Sequence, residues 1–147
     1  MRKTFAIAAL AAATLMSAVS FAAAQELPSV EGTYKEIEAT FGVVPSHIKK
    51  YPKSAVAGAW AMTKGLLTDK SNALEPKVKS LIGLAVAAQI PCQYCTWFET
   101  KSAKAQGATD EQVAEAVAQA AYVRHWSTVL NGMQIDLETF KTEFGGK

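Results

Sequence analysis

The segment between Pro76 and Pro91 limits the possible folds more than any other part of the chain. Its apolar residues recur at the i, i+3, i+4 and i+7 spacing of one helical face, and Leu84, Val86 and Ala88 make the other faces apolar too. Pro76 suits the first turn of a helix, where its missing N–H would have no partner, and Pro91 ends the helix. Because a helix that is apolar on all sides is a buried one, we expect this segment at the centre of a helical domain.

Helical periodicity extends over most of the remaining chain. The other predicted helices lie around Ile37 with an end at Gly42, from Lys53 to about Leu67, from the cysteine pair to Gly107, from Thr109 to Leu130, and around Leu137 to Phe144. The run Thr109-Asp110-Glu111-Gln112 has the spacing of a capping box. No segment alternates between apolar and polar residues as a strand would, so the predicted fold class is all-α.

The first 24 residues have the pattern of an export signal. Arg2 and Lys3 precede an apolar run from Phe5 to Phe21, and Ala22-Ala23-Ala24 offers small residues for cleavage. We therefore expect residues 1–24 to be a signal peptide and residues 25–147 to be one domain. The protein would be periplasmic or secreted, with no stable membrane association after cleavage.

Removal of this segment leaves the mature chain formally neutral, because it takes two of the fifteen basic residues and none of the thirteen acidic ones. Nucleic-acid binding requires a clustered surplus of lysine and arginine, so we expect no nucleic-acid partner.

The only two cysteines, Cys92 and Cys95, stand at the predicted start of a helix. Residues three apart there can close a disulfide, and the positive end of the helix dipole favours a thiolate, most strongly at Cys92. Glu99 follows Cys95 by one helical turn and points to the same face. An ionised carboxylate would disfavour a nearby thiolate, yet it could also accept the thiol proton.

Other interpretations of the cysteine pair stay open on the sequence alone. A structural zinc site would need four ligands, and the chain offers neither a second cysteine pair nor paired histidines. A static disulfide that pins the helix start is compatible with export. Buried, inert thiols are a third possibility, although Gln93 and Thr96 indicate that part of the turn meets solvent.

The segment from Glu75 to Gly107, with the Ala-Thr that follows, reads EPKVKSLIGLAVAAQIPCQYCTWFETKSAKAQGAT. It resembles the alkylhydroperoxidase D-like, or carboxymuconolactone decarboxylase, family, and the likeness extends over about residues 31–144. The resemblance implies a helical bundle whose helix-turn-helix core carries Cys-x-x-Cys at a helix N-terminus. It also implies a homo-oligomer, a trimer or hexamer, with no metal or organic cofactor.

In the redox-active branch of that family, the resemblance implies a peroxidase or disulfide reductase that uses a hydroperoxide or disulfide substrate and an external thiol reductant. Cys95 would attack the substrate and Cys92 would resolve the intermediate. That branch has a glutamate twelve residues before the first cysteine and a histidine four after the second. This chain has Ser80 and Glu99 at those places, so the cysteines carry over and the proton relay does not.

The predicted catalytic residues are therefore Cys92, Cys95, Glu99 and His125, with Glu99 and His125 as candidates for proton transfer. His125 lies between Arg124 and Trp126, where a packing role or a subunit contact competes with a catalytic one. Trp97 and Phe98 are candidates for lining an apolar substrate pocket.

Two alternative functions stay open. One is a non-catalytic binding or assembly module with a structural disulfide. The other is the lactone decarboxylation that names the wider family, although members acting on lactones do not depend on a cysteine pair.

Overall fold

The computed structural model describes residues 26–146, so the predicted signal peptide lies outside the described residues. The chain forms two compact units, the first ending at Gly58 and the second beginning at Ala59. Over residues 26–146 the regular secondary structure consists of helices, with no strand, which confirms the all-α prediction. None of the helices in this range is both long and apolar enough to cross a bilayer.

The first unit contains α1, Val30–Phe41, then α2, Ser46–Lys50, and the beginning of α3, Lys53–Leu67. The Ser29 hydroxyl caps α1 by accepting the Gly32 N–H at 3.1 Å. Gly42 ends the helix at φ 75°, a left-handed conformation that glycine adopts without the penalty of a Cβ atom. Its N–H donates to the Glu38 carbonyl at 2.7 Å, so the predicted end of this helix is confirmed.

The second unit is built around three helices that follow α3: α4, Pro76–Gln89; α5, Gln93–Ala105; and α6, Asp110–Gly132. A short α7, Leu137–Glu143, follows. Helix α4 packs against both α5 and α6, and its buried residues are Ser80, Leu84 and Ala87. The Gln89 amide on α4 donates to the Ala120 carbonyl of α6 at 2.8 Å, which adds a directional link to this packing.

The boundaries of α4 and α6 follow from local chemistry. Pro76 occupies the first turn of α4, as the sequence predicts. At the start of α6 the Gln112 N–H donates to the Thr109 hydroxyl and the Thr109 N–H donates to the Gln112 side-chain oxygen, both at 3.2 Å. The capping box is therefore present with both of its hydrogen bonds.

The expectation that α4 is buried on all sides is wrong for the single chain. Four apolar residues at i, i+4, i+8 and i+12 remain exposed by 39%, 49%, 54% and 62%: Val78, Ile82, Val86 and Ile90. They form a stripe along α4, which we call the α4 apolar stripe. The all-round apolar character of α4 therefore includes a face that the described residues of the chain leave about half exposed.

Candidate functional site

The cysteine pair lies at the start of α5, as the sequence predicts. Cys92 is the N-cap residue, and its sulfur accepts the Cys95 N–H at 3.2 Å. The Cys92 N–H in turn donates to the Ala87 carbonyl near the end of α4 at 3.0 Å. The two cysteines form a disulfide with their Cα atoms 5.3 Å apart. In the reduced protein, the same helix start would favour a thiolate at Cys92.

This turn is accessible to solvent. Both cysteines are partly exposed, while Tyr94 between them is 78% exposed and Trp97 is 63% exposed. A reductant or a small substrate can therefore approach the disulfide without unfolding the domain. Deeply buried, inert cysteines do not fit this geometry.

Glu99 occupies the same side of α5 as Cys95, one helical turn later, and its carboxyl lies against the backbone of α4 at Gly83. A Cβ atom at position 83 would be 2.7 Å from Glu99 Cδ, 2.9 Å from Oε1 and 3.0 Å from Oε2. These distances are shorter than non-bonded contacts allow, so the carboxyl can occupy this place only beside a glycine. The missing side chain of Gly83 therefore provides the space that the Glu99 carboxyl occupies.

The pKa of Glu99 is raised because burial against α4 removes part of the water that stabilises the charged form. A thiol is a much weaker acid than an ordinary carboxylic acid, so raising the carboxyl pKa narrows the gap between the two groups. A narrower gap makes proton exchange between Glu99 and a cysteine easier.

Ser80 lies one turn before Gly83 on α4 and is only 8% exposed. The resemblance expects a glutamate at this position of α4. Here the carboxyl that reaches this part of α4 belongs instead to Glu99 of α5. This part of α4 thus still has a carboxyl group beside it, whereas α5 has a glutamate in place of the histidine that the resemblance implies.

The two histidines lie on helices other than α5, the helix that begins at the cysteine pair. His125 is exposed on α6, and its ring lies edge-on to Trp126 with the centroids 5.2 Å apart. It stands eight residues, or about 12 Å along the helix, beyond Val117. His47 is exposed on α2. The structure thus gives His125 an aromatic contact, and a part in proton transfer stays a prediction.

A groove of about 840 Å³ runs along α5 from the cysteine turn. Its apolar walls include Ala88, Pro91, Trp97 and Val117, and two lysines, Lys101 and Lys104, lie further along. Thus Trp97 lines a concave surface, while Phe98, the other predicted pocket residue, is not among the groove residues and is 40% exposed. Within residues 26–146, no three side chains of the histidine, cysteine, aspartate and glutamate types are grouped as metal ligands would be.

Residues 55–137 match the carboxymuconolactone decarboxylase family. The chain belongs to this family. Its fold is similar to the crystal structure of the alkylhydroperoxidase AhpD core from Rhodospirillum rubrum, with a TM-score of 0.66 and 28% sequence identity. That likeness covers 78% of this chain and 87% of the other.

A 64-residue segment is 39% identical to uncharacterized protein 4 in the cox locus of Paracoccus denitrificans. The match covers 44% of this chain and 56% of that protein. The family match thus establishes the family of this chain, and the structure pairs Cys92 with Cys95 in a disulfide.

Sequence reasoning missed Gly83 and the two groove lysines. Gly83 stands inside an otherwise strongly helical apolar segment, where glycine costs about 1 kcal/mol relative to alanine. That cost is a signal of close backbone approach, although the sequence does not say which side chain approaches. Lys101 and Lys104 gave no signal, because lysines on the exposed side of a helix are ordinary.

Proposed function

We propose that this protein is an exported thiol-disulfide oxidoreductase of the peroxidase type. The observation that carries the proposal is the solvent-accessible Cys92–Cys95 disulfide at the start of α5, with the Glu99 carboxyl on the same side of the helix. Membership of the family and the likeness to the AhpD core support it.

The reaction begins with the reduced pair and a hydroperoxide, ROOH. The Cys95 thiolate attacks the terminal peroxide oxygen, the O–O bond breaks, and ROH leaves after taking up a proton. The sulfur is then a sulfenic acid. The Cys92 sulfur attacks it, the S–O bond breaks with release of water, and the disulfide forms. An external dithiol restores both thiols by exchange through a mixed disulfide and is itself oxidised.

Glu99 supplies the proton handling in this scheme. In its ionised form the carboxylate accepts the Cys95 proton, and in its protonated form it donates to the departing alkoxide. Its partly buried place beside Gly83 raises the carboxyl pKa, which makes the ionised carboxylate a stronger base toward the Cys95 proton. The proton that it takes up in that step is the one that it then donates. The order of attack, Cys95 before Cys92, follows the family resemblance, whereas the N-cap position favours the Cys92 thiolate.

We also propose that the protein works as a homo-oligomer. The α4 apolar stripe is a continuous exposed apolar row on a helix that the sequence marks for burial. Exposed apolar surface of this kind is typical of a contact between protein chains. A second copy of this chain is the partner that the family resemblance implies.

The test is steady-state consumption of cumene hydroperoxide with dithiothreitol as the reductant. The wild-type protein is compared with Cys92→Ser, Cys95→Ser and a matched serine variant on the same helix, Ser102→Ala. We expect catalytic turnover in the wild type and in Ser102→Ala, and none in either cysteine variant. Equal background rates in all four proteins, or a disulfide that dithiothreitol reduces only after unfolding, would identify the pair as a structural crosslink.

A further inference from the structure

The chain after α6 forms an arm that buries none of its own residues. This C-terminal arm, residues 133–144, contains α7, and within it Phe140 is half-buried while every other residue is exposed. The exposed apolar residues of the arm include Leu137 and Phe144, at 60% and 76% exposure. Exposed apolar surface of this kind is typical of a contact with another chain.

The helix in this arm is amphipathic. Leu137, Phe140 and Phe144 recur at i, i+3 and i+7, so they share one face of α7 and its C-terminal cap. The Phe140 and Phe144 rings lie against each other with their centroids 4.7 Å apart. An amphipathic helix that lies in an apolar groove of a partner uses anchors at this spacing. The C-terminal arm thus has the side-chain pattern of a docking helix.

The groove along α5 complements this helix in shape. Its apolar walls include Trp97 and Val117. On α5 its lining extends from Gln93 to Lys104, which is about 16 Å along the helix axis. Leu137 and Phe144 are about 10 Å apart along α7. The two turns of the arm therefore fit within the length of the groove.

The charges of the groove and the arm are opposite. Lys101 and Lys104 line the groove, and no acidic residue is among the described residues that line it. Lys104 pairs with Asp110, but both side chains are largely exposed, so that pair is weak and can exchange for another. The arm has a net charge of −2, from three acidic residues and one lysine: Asp136, Glu138 and Glu143 against Lys141. The α4 apolar stripe offers no such charge, so charge favours the groove as the place for the arm.

The lysine end of the groove is far from the arm of the same chain. Asp110 is the first residue of α6, so its ion pair places Lys104 beside the start of that helix. Gly132, the last residue of α6, stands twenty-two residues later, which is about 33 Å along the helix. The arm leaves α6 at this far end.

The turn after α6 keeps the arm there. The Gln134 N–H donates to the Asn131 carbonyl and the Ile135 N–H donates to the Leu130 carbonyl, both at 3.1 Å. Only Asp136 then remains before α7, which begins at the next residue. Because the helix of the arm is about 10 Å long, it does not reach Lys104 of its own chain. The groove that fits the arm is therefore the groove of a second copy.

From these observations we propose that the C-terminal arm of one copy docks in the α5 groove of a second copy. The apolar face of α7 lies against Trp97 and Val117, and its carboxylates lie beside Lys101 and Lys104. This contact rests on the homo-oligomer proposed above and adds a second interface to it. Two helical turns bury far less than the roughly 800 Å² per partner of a stable interface, so the arm strengthens the contact at the α4 apolar stripe and does not replace it.

The docked arm leaves the cysteine pair free. Trp97 and Lys104 stand two and nine residues after Cys95, which places them about half a turn away around α5. Glu99, in contrast, lies on the same side of the helix as Cys95. Arm docking and the proposed thiol reaction therefore use different faces of α5.

Charge reversal tests the contact in the full chain. The groove variant is Lys101→Glu/Lys104→Glu and the arm variant is Glu138→Lys/Glu143→Lys, while Asp136 is kept because its carboxylate caps α7. Sedimentation velocity over a dilution series of the oxidised protein gives the dissociation constant of self-association. An exposed ion pair contributes a factor of up to about five, so each variant should raise that constant by at least about tenfold. The four replaced residues are exposed, so urea midpoints should stay near that of the wild type.

Recombining the reversed charges identifies the partner. The variant with both reversals in one chain should regain wild-type association, because each groove again meets an arm of opposite charge. An equimolar mixture of the groove variant and the arm variant should regain it too, since each groove then finds the opposite arm on the other protein. Recovery by mixing requires contact between copies. The control Lys49→Glu/Lys70→Glu makes the same change in net charge at exposed lysines outside the groove, and it should associate like the wild type.

Unchanged association in the groove variant, or equal weakening in the control, overturns the proposal. Weakening that mixing does not reverse also overturns it, because the arm and the groove would then not meet between copies. If the wild type is an oligomer that ignores both reversals, the arm contact fails and the proposed homo-oligomer stands. If the wild type has the mass of one chain at every concentration, both fail. Hydroperoxide turnover is measured separately, so its absence counts against the proposed reaction and not against the arm contact.

Discussion

Replacing Gly83 with alanine would place a methyl group where the Glu99 carboxyl now lies. The new Cβ would be 2.7 Å from Glu99 Cδ, so one of the two groups must move. The carboxyl is the end of a flexible side chain, whereas position 83 is fixed in the middle of α4. We therefore expect Glu99 to rotate away from α4 into water and the helix to stay in place.

The expected stability change is small because two effects oppose each other. Alanine in a helix interior is favoured over glycine by about 1 kcal/mol. Forcing Glu99 out of its rotamer costs about 0.5 to 1.5 kcal/mol. Gly83→Ala alone should thus change the free energy of unfolding by less than about 1 kcal/mol. In the Glu99→Ala background the clash is absent, and the same substitution should stabilise the protein by the full helix-propensity term of about 1 kcal/mol.

Urea unfolding of the four oxidised proteins measures this cycle: wild type, Gly83→Ala, Glu99→Ala and the double variant. A shift in midpoint at constant m-value reports stability directly. A loss of several kcal/mol in unfolding free energy for Gly83→Ala in both backgrounds would show that α4 is sensitive to any added methyl group. The glycine at position 83 would then not be explained by the contact with Glu99.

The functional readout separates this positioning role from packing. In Gly83→Ala the carboxyl is returned to water, so the pKa of Glu99 should fall toward its ordinary value. The pH profile of hydroperoxide turnover should shift to lower pH accordingly. In the Glu99→Ala background, Gly83→Ala should leave the profile unchanged. An unshifted profile in Gly83→Ala would contradict the assignment of Gly83 as the residue that positions Glu99.

The remaining predictions concern stability and assembly. The folded-state pKa of Glu99 is raised, so the wild type should lose stability relative to Glu99→Gln as the pH rises from the ordinary carboxyl pKa through the raised one. Urea midpoints that change in parallel for the two proteins across that pH window would contradict this. Thr109→Ala removes the cap of α6 and should cost about 1 kcal/mol of unfolding free energy, and an unchanged urea midpoint would show that the capping box contributes nothing. Ile82→Asp places a charge on the α4 apolar stripe and should reduce the mass measured by light scattering to that of one chain, whereas Lys70→Asp should not. Equal masses for wild type and Ile82→Asp would exclude the stripe as the interface.

Helix boundaries were predictable where one residue's chemistry decides them. Three such signals are the proline at the start of α4, the glycine after α1 and the capping box before α6. Each one satisfies or removes specific backbone groups, so it acts independently of the rest of the fold. The short helix α2, Ser46–Lys50, is not among the helices that the sequence predicts. Five residues are too few to show a helical period, so no such signal exists for it.

Burial was harder to predict than helix position. The sequence marks every face of α4 as apolar, but it does not distinguish burial within one chain from burial between chains. For this reason the sequence did not predict that the α4 apolar stripe is exposed in the single chain. For the same reason, the sequence identified Trp97 as a candidate pocket residue without showing the lysines that share its groove.

The position of the cysteine pair was predictable, whereas the electrostatics of the site were not. Two cysteines three residues apart at a helix start are close enough to form a disulfide, and the structure has that disulfide. The place of the Glu99 carboxyl depends on α4, a different helix, and on the missing Cβ of Gly83. Local spacing placed Glu99 beside Cys95 but gave neither its contact with α4 nor the rise in its pKa.

The central claim is that Cys92 and Cys95 exchange electrons with a hydroperoxide while the protein stays folded. Thiol titration in a single turnover tests it: the reduced, desalted protein is mixed with one equivalent of cumene hydroperoxide, and free thiols are counted under native conditions. We expect both thiols to disappear, one equivalent of the alcohol to form, and dithiothreitol to restore both thiols. Two thiols that persist in the folded protein while the hydroperoxide stays intact would contradict it.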